Sequence, residues 1–200
     1  MRNSLIILVF FVLGIVCGIY SLLPEFMRHD HLTLLVLYVL LFLVGIGIGA
    51  DKKAWRTIKG ANIKIILIPL SVTIGTLLGV GLFSLLVNGI DLRESLAIGC
   101  GFGYYSLSSV LIAEISGRTL GVVALLSNIM REIITLLITP LLARHFGKLA
   151  PIASGGATSM DTTLPIITRS IGKEYAILSV FSGIVLTIAA PFLITLILKI

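Results

Sequence analysis

Charge is what this sequence has least of. Only 12% of its 200 residues are Asp, Glu, Lys or Arg, against roughly 25% in soluble domains. Together with a hydrophobic share of 58%, that scarcity excludes a soluble fold. Acidic side chains are the scarcer sign, 9 against 15 basic ones, for a net charge of +6. The basic residues sit mostly between apolar runs, where they orient a membrane protein and meet anionic headgroups; nucleic acid is not the expected partner. Cysteine is nearly missing as well. Cys17 and Cys100 are far apart, embedded in apolar segments and without a CxxC, so neither a disulfide framework nor a metal site is indicated. The three histidines, His29, His31 and His145, fall in loops, and GCGFG lacks the Lys and Ser or Thr of a phosphate loop. No cofactor, no metal and no enzyme is expected.

Long apolar runs are what the chain has instead. At about 20 residues per membrane-spanning helix, it holds one all-α, polytopic membrane domain over residues 1–200. Ser4 to Leu23 reads as a first retained helix, Leu32 to Ala50 as a second, and Ile63 to Val87 as a third, with Pro69, Gly75, Gly79 and Gly81 inside it. The loop from Asp51 to Lys64 carries Lys52, Lys53, Arg56, Lys59 and Lys64, which makes it cytoplasmic by the positive-inside rule. The N-terminus then lies on the cytoplasmic side too, and Trp55 anchors at the interface.

Residues 93–200 differ from this opening. Two continuous helices, Leu120 to Ala143 and Tyr175 to Leu198, alternate with Gly99 to Ser109 and Ser154 to Pro165, which are rich in glycine and hydroxyls. Irregular backbone at membrane depth is viable only when buried in protein or lining a water-filled cavity. These are broken helices that cross or re-entrant hairpins that return, giving about five continuous spans and two interrupted segments. Shifting the chain by 55 positions places Gly101 on Gly156, Ser106 on Asp161 and Gly117 on Gly172, so the interruptions read as a two-unit repeat. Interruptions at corresponding places in two halves point to a transporter site at the bilayer midplane.

Few ionisable residues remain at that depth: Glu114, Arg131, Glu132 and Asp161. Each costs about 2.5 to 3.5 kcal/mol at a helix centre, so they face the interior, a cavity or each other. Asn128, Arg131, Glu132, Thr135 and Thr139 form one polar stripe on an apolar helix. Such a stripe either holds helices together, with Arg131 paired to Glu114 or Asp161, or lines a substrate or ion path. Asp161 is also placed to cap a half-helix. Tyr104 and Tyr105 follow Gly103 and are placed to gate a path, to stack over a cation or simply to pack. Ser106 and Thr158 are the hydroxyls singled out.

GFGYYSLSSVLIAEISG, then NIMRE, then GATSMDTTLPII resemble the signature of the bacterial and archaeal lysine exporter family LysO. The resemblance covers roughly Ser95 to the C-terminus, while the helices before it match only in hydrophobic character. It implies export of L-lysine and of its toxic analogue thialysine across the cytoplasmic membrane, in exchange for protons. Matched by motif position, Glu114, Arg131, Glu132 and Asp161 are the family-type polar residues, and Asn128 stands where some members have Asp. The resemblance also implies a homodimer or a complex with a small membrane subunit. On this reading Glu114 and Asp161 receive the ammonium groups, Arg131 and half-helix N-termini hold the carboxylate, and Glu132 or Glu114 exchanges a proton.

Overall fold

The computed structural model describes residues 63–86 and 89–199, with a few isolated positions before them. The first two expected helices, the basic loop and Trp55 otherwise lie outside the described residues. All the helices named below belong to one unit, residues 40–200.

α1, Ile63–Ser84, has 22 residues and is about 33 Å long. Pro69 sits inside it, and the Thr73 hydroxyl donates to the Pro69 carbonyl one turn back at 2.9 Å. Two short helices follow, α2, Leu92–Gly99, and α3, Tyr105–Ser116. The Glu94 carboxylate accepts the Asp91 N–H at 3.1 Å, which settles the start of α2. α4, Arg118–His145, is the longest helix at 28 residues. Then come α5, Ala150–Gly155, a 3-10 turn from Gly156 to Met160, and α6, Leu164–Ile171. A turn at Lys173–Tyr175 leads into α7, Ala176–Lys199. The described residues form no strand. Helices ending at Ile65–Ser84, Arg118–His145 and Lys173–Lys199 are long and apolar enough to cross a membrane.

Both interrupted segments are therefore pairs of short helices around a break. At 8 and 12 residues, α2 and α3 reach only about 12 and 18 Å, less than the roughly 30 Å hydrocarbon core. Glycine makes the joints. Gly117, between α3 and α4, has φ 95 and ψ 159, and Gly172, after α6, has φ 108 and ψ 148. Side chains avoid such positive φ angles. Gly121 brings α3 and α4 close, since a methyl there would strike Ala113 and the Ser109 carbonyl.

Packing orients the short helices along α4. Ile90, just before α2, lines one cavity with Phe83 and Ser84 at the end of α1 and with Val123 near the start of α4. α2 thus begins at the Gly117 end of α4, and α3 returns there through Gly117. The second pair uses the other end: Ile152 of α5 and Ile171 of α6 cluster with Ile68, Ala143 and Tyr175. α7 runs back from that end, and its Ala190 and Ile194 share one core cluster with Leu120 near the start of α4.

Candidate functional site

The two breaks meet at the middle of α4. In the first, Gly101 donates to the Ile98 carbonyl at 3.2 Å and Phe102 to Gly99 at 3.1 Å, which ends α2 in tight turns. Gly103 N–H has no backbone acceptor among the described residues and donates instead to Asn128 Oδ1 at 2.8 Å. Asn128 Nδ2 donates to the carbonyls of Ile98, at 3.1 Å, and Ala124, at 2.9 Å. With 3% of its surface exposed, Asn128 is spent on holding this break. In the polar stripe, it belongs to the structural seam.

The breaks then touch backbone to backbone. Phe102, fully buried and with φ 50, is a non-glycine residue held in the left-handed region at a cost of about 1–2 kcal/mol. Its carbonyl accepts the Ala157 N–H at 2.9 Å. Gly156, at φ 59, lies so close that any side chain would strike that carbonyl oxygen. Ser159 and Ser179 tie the second break to α7 reciprocally, each hydroxyl donating to the other's carbonyl at 2.9 Å. Thr158 is buried and donates to Gly155 at 2.8 Å.

Arg131 and Glu132 separate here. Arg131 donates from Nε to the Ser154 carbonyl and from Nη2 to the Ala153 carbonyl, both at 3.1 Å. Its guanidinium also lies 6.0 Å from the Phe102 ring. The expected pairing with Glu114 or Asp161 is corrected: the last carbonyls of α5 hold Arg131. They carry the partial negative charge of a helix C-terminus, a favourable place for a cation. One turn further, the Thr135 and Ser154 hydroxyls bond at 2.7 Å.

Glu132 joins a second group. The Thr162 hydroxyl beside it lies 3.4 Å from the Asp161 carboxylate, and Glu132 and Asp161 act on each other electrostatically. Both charges act on Tyr105, and Asp161 acts on Tyr104. Tyr104, Tyr105, Ser106 and Glu132 are half-buried, and Asp161 is exposed. Two carboxylates and two tyrosine rings with access from outside make a site suited to a cation or a proton. Asp161 does not cap α6, because Thr163 precedes that helix. The Asp161 carboxylate instead accepts the Thr162 N–H at 2.6 Å.

Glu114 is not brought to this group. It sits two residues from the end of α3 and is exposed. Thr162 and Phe102 matter here and were not singled out by the sequence. A lone threonine among several carries no distinguishing signal, and the glycines of GCGFG marked the break without marking the residue between them.

This architecture defines an all-helical integral membrane protein whose polar site is built on interrupted helices. The chain matches the family described as Lysine exporter LysO over residues 8–198, and it belongs to that family. An Escherichia coli K12 protein named lysine exporter LysO is 32% identical over 184 residues, 92% of this chain and 60% of its own length. The chain thus spans three-fifths of that relative. A Haemophilus influenzae protein named putative lysine exporter is 33% identical over 161 residues, 80% of this chain and 81% of its own. No solved structure matches.

Proposed function

We propose that this chain exports a cationic amino acid, L-lysine first and its analogue thialysine with it, in exchange for protons. One observation carries the reading: Asp161 closes the second break and Tyr104 and Tyr105 close the first, the breaks join at Phe102 and Ala157, and Glu132 of α4 acts electrostatically on Asp161 and Tyr105. Lysine brings two ammonium groups and one carboxylate. A pair of carboxylates beside aromatic faces receives an ammonium group. Glu132 takes up a proton once the substrate has left, which couples the two flows. The family relationship and the relatives' names support lysine as the substrate.

Each break is a re-entrant hairpin on this reading, one entering from each side of the membrane. Arg144, Lys148, Arg169 and Lys173 then lie at one end of α4, the end from which α1 departs after the basic loop. Arg93, Arg118 and Lys199, together with Asp91, Glu94 and Glu114, lie at the other. Such a division obeys the positive-inside rule, with the loop from Asp51 to Lys64 and the N-terminus cytoplasmic. The units α2–α4 and α5–α7 form an inverted repeat, and movement of one against the other exposes the site to each side in turn.

The test is counterflow of labelled lysine into proteoliposomes, with Glu132→Gln and Asp161→Asn beside the native protein. Each variant is expected to lose at least about tenfold in flux, the scale of a charge-assisted contact. Native flux in both would end the assignment of these carboxylates. Lysine flux indifferent to an imposed pH gradient would remove proton exchange while leaving transport. Absence of lysine flux in the native protein, with uptake of another cation, would replace the substrate.

A further inference from the structure

Arg131 has more donors than its partners use. A guanidinium carries five N–H groups, and the two carbonyls at the end of α5 take one from Nε and one from Nη2. Nη1 makes only a long contact of 3.5 Å with the Thr76 hydroxyl. Among the described residues the partners of Arg131 are two carbonyls, one hydroxyl and one ring face, and none is a carboxylate. A six-residue helix supplies at most about half a negative charge at its C-terminus, so a full positive charge is left partly uncompensated.

Its open side faces a cavity. Arg131 lines a cavity of about 470 Å³ together with Thr76, Ser95, Ser127 and Asn128, and with Val80 and Ile98 as apolar wall. That volume falls in the range of small-molecule sites, roughly 300–1,000 Å³. A second depression beside Ser127, Met130 and Ser154 also reaches Arg131. The acidic group holding Glu132 is elsewhere: consecutive helix positions point about 100° apart, and neither Glu132 nor Asp161 lines this cavity. The molecule thus offers a cationic cavity and an acidic group on neighbouring faces of α4.

We propose that this cavity is a carboxylate subsite, with Arg131 its recognising residue. The α5 carbonyls fix the guanidinium plane, and Nη1 and the free N–H of Nη2 form the fork that grips two carboxylate oxygens. Resting on the export reading above, the proposal makes Arg131 the residue that separates an amino acid from a simple diamine. The carboxylate is the substrate's own or that of a separate anion bound with it, and the experiment distinguishes the two sources.

Labelled lysine and labelled cadaverine, which is lysine without its carboxylate, are compared as counterflow substrates of the native protein, Arg131→Lys, Arg131→Gln and Ser127→Phe. Sodium acetate is added as the probe. The native protein is expected to favour lysine about ten- to a hundredfold, the scale of a charge-assisted pair. Arg131→Gln should bring the two within about twofold by weakening lysine alone, with Arg131→Lys in between. Ser127→Phe obstructs the cavity without touching the α5 carbonyls, so it keeps the test alive if Arg131→Gln does not fold. Acetate that inhibits lysine and spares cadaverine identifies the substrate's own carboxylate. Acetate that accelerates both identifies a separate anion. Lysine flux with no preference over cadaverine and no acetate effect overturns the subsite, as does a preference that survives both Arg131→Gln and Ser127→Phe. No lysine flux at all in the native protein overturns the export reading instead, and acetate-dependent cadaverine flux then decides the subsite alone.

Discussion

Gly156→Ala puts the contact between the two breaks under direct strain. Gly156 has φ 59 and ψ −124, a conformation that costs a residue with a Cβ on the order of 1–3 kcal/mol. The added methyl would also strike the Phe102 carbonyl oxygen and come within 3.1 Å of Arg131 Nη2. The Phe102 carbonyl is the acceptor of the Ala157 N–H, so separating the breaks forfeits that hydrogen bond, about 1 kcal/mol net. The sum is about 2–4 kcal/mol. At roughly 2–4 °C per kcal/mol for a chain of this size, the apparent Tm of the solubilised protein should fall by about 4–16 °C. Gly147→Ala is the control: its φ is +86, yet a methyl there meets nothing within 4 Å. It carries the backbone cost without the collision. Equal Tm values for Gly147→Ala and Gly156→Ala would refute the reasoning that the breaks are pressed together.

Asn128→Ala leaves the Gly103 N–H without its partner, at about 1–3 kcal/mol, and takes one of two donors from the Ile98 carbonyl, which keeps the Gly101 N–H. Thermal unfolding should show a loss well beyond that of Ser127→Ala, whose side chain is exposed and whose effect should stay within about 0.5 kcal/mol. Impermeant thiol labelling of single-cysteine variants tests the hairpins. Gly147→Cys and Lys173→Cys should label from the same side, and Gly89→Cys and Arg118→Cys from the other. Labelling of Gly147→Cys and Lys173→Cys from opposite sides would mean that the second break crosses the membrane.

The membrane setting, the long helices and the places where they fail are legible from the residues alone. Leu120 to Ala143 was expected as a helix and Arg118–His145 is one; the glycine- and hydroxyl-rich stretches contain both breaks. Hydropathy, helix length and glycine content are local quantities, readable within a window of about 20 residues. Which polar residues meet depends on packing in three dimensions. Asn128, Arg131 and Glu132 share one stripe by spacing, yet Asn128 holds the first break, Arg131 the end of α5, and Glu132 the group around Asp161. Glu114 looks equivalent to Asp161 as a rare acid in an apolar run, yet it stands apart, exposed at the Gly117 end of α3. The difference lies in contacts such as Phe102 with Ala157, made between segments 55 residues apart. Such contacts depend on how glycine joints aim the short helices, and no local pattern encodes that.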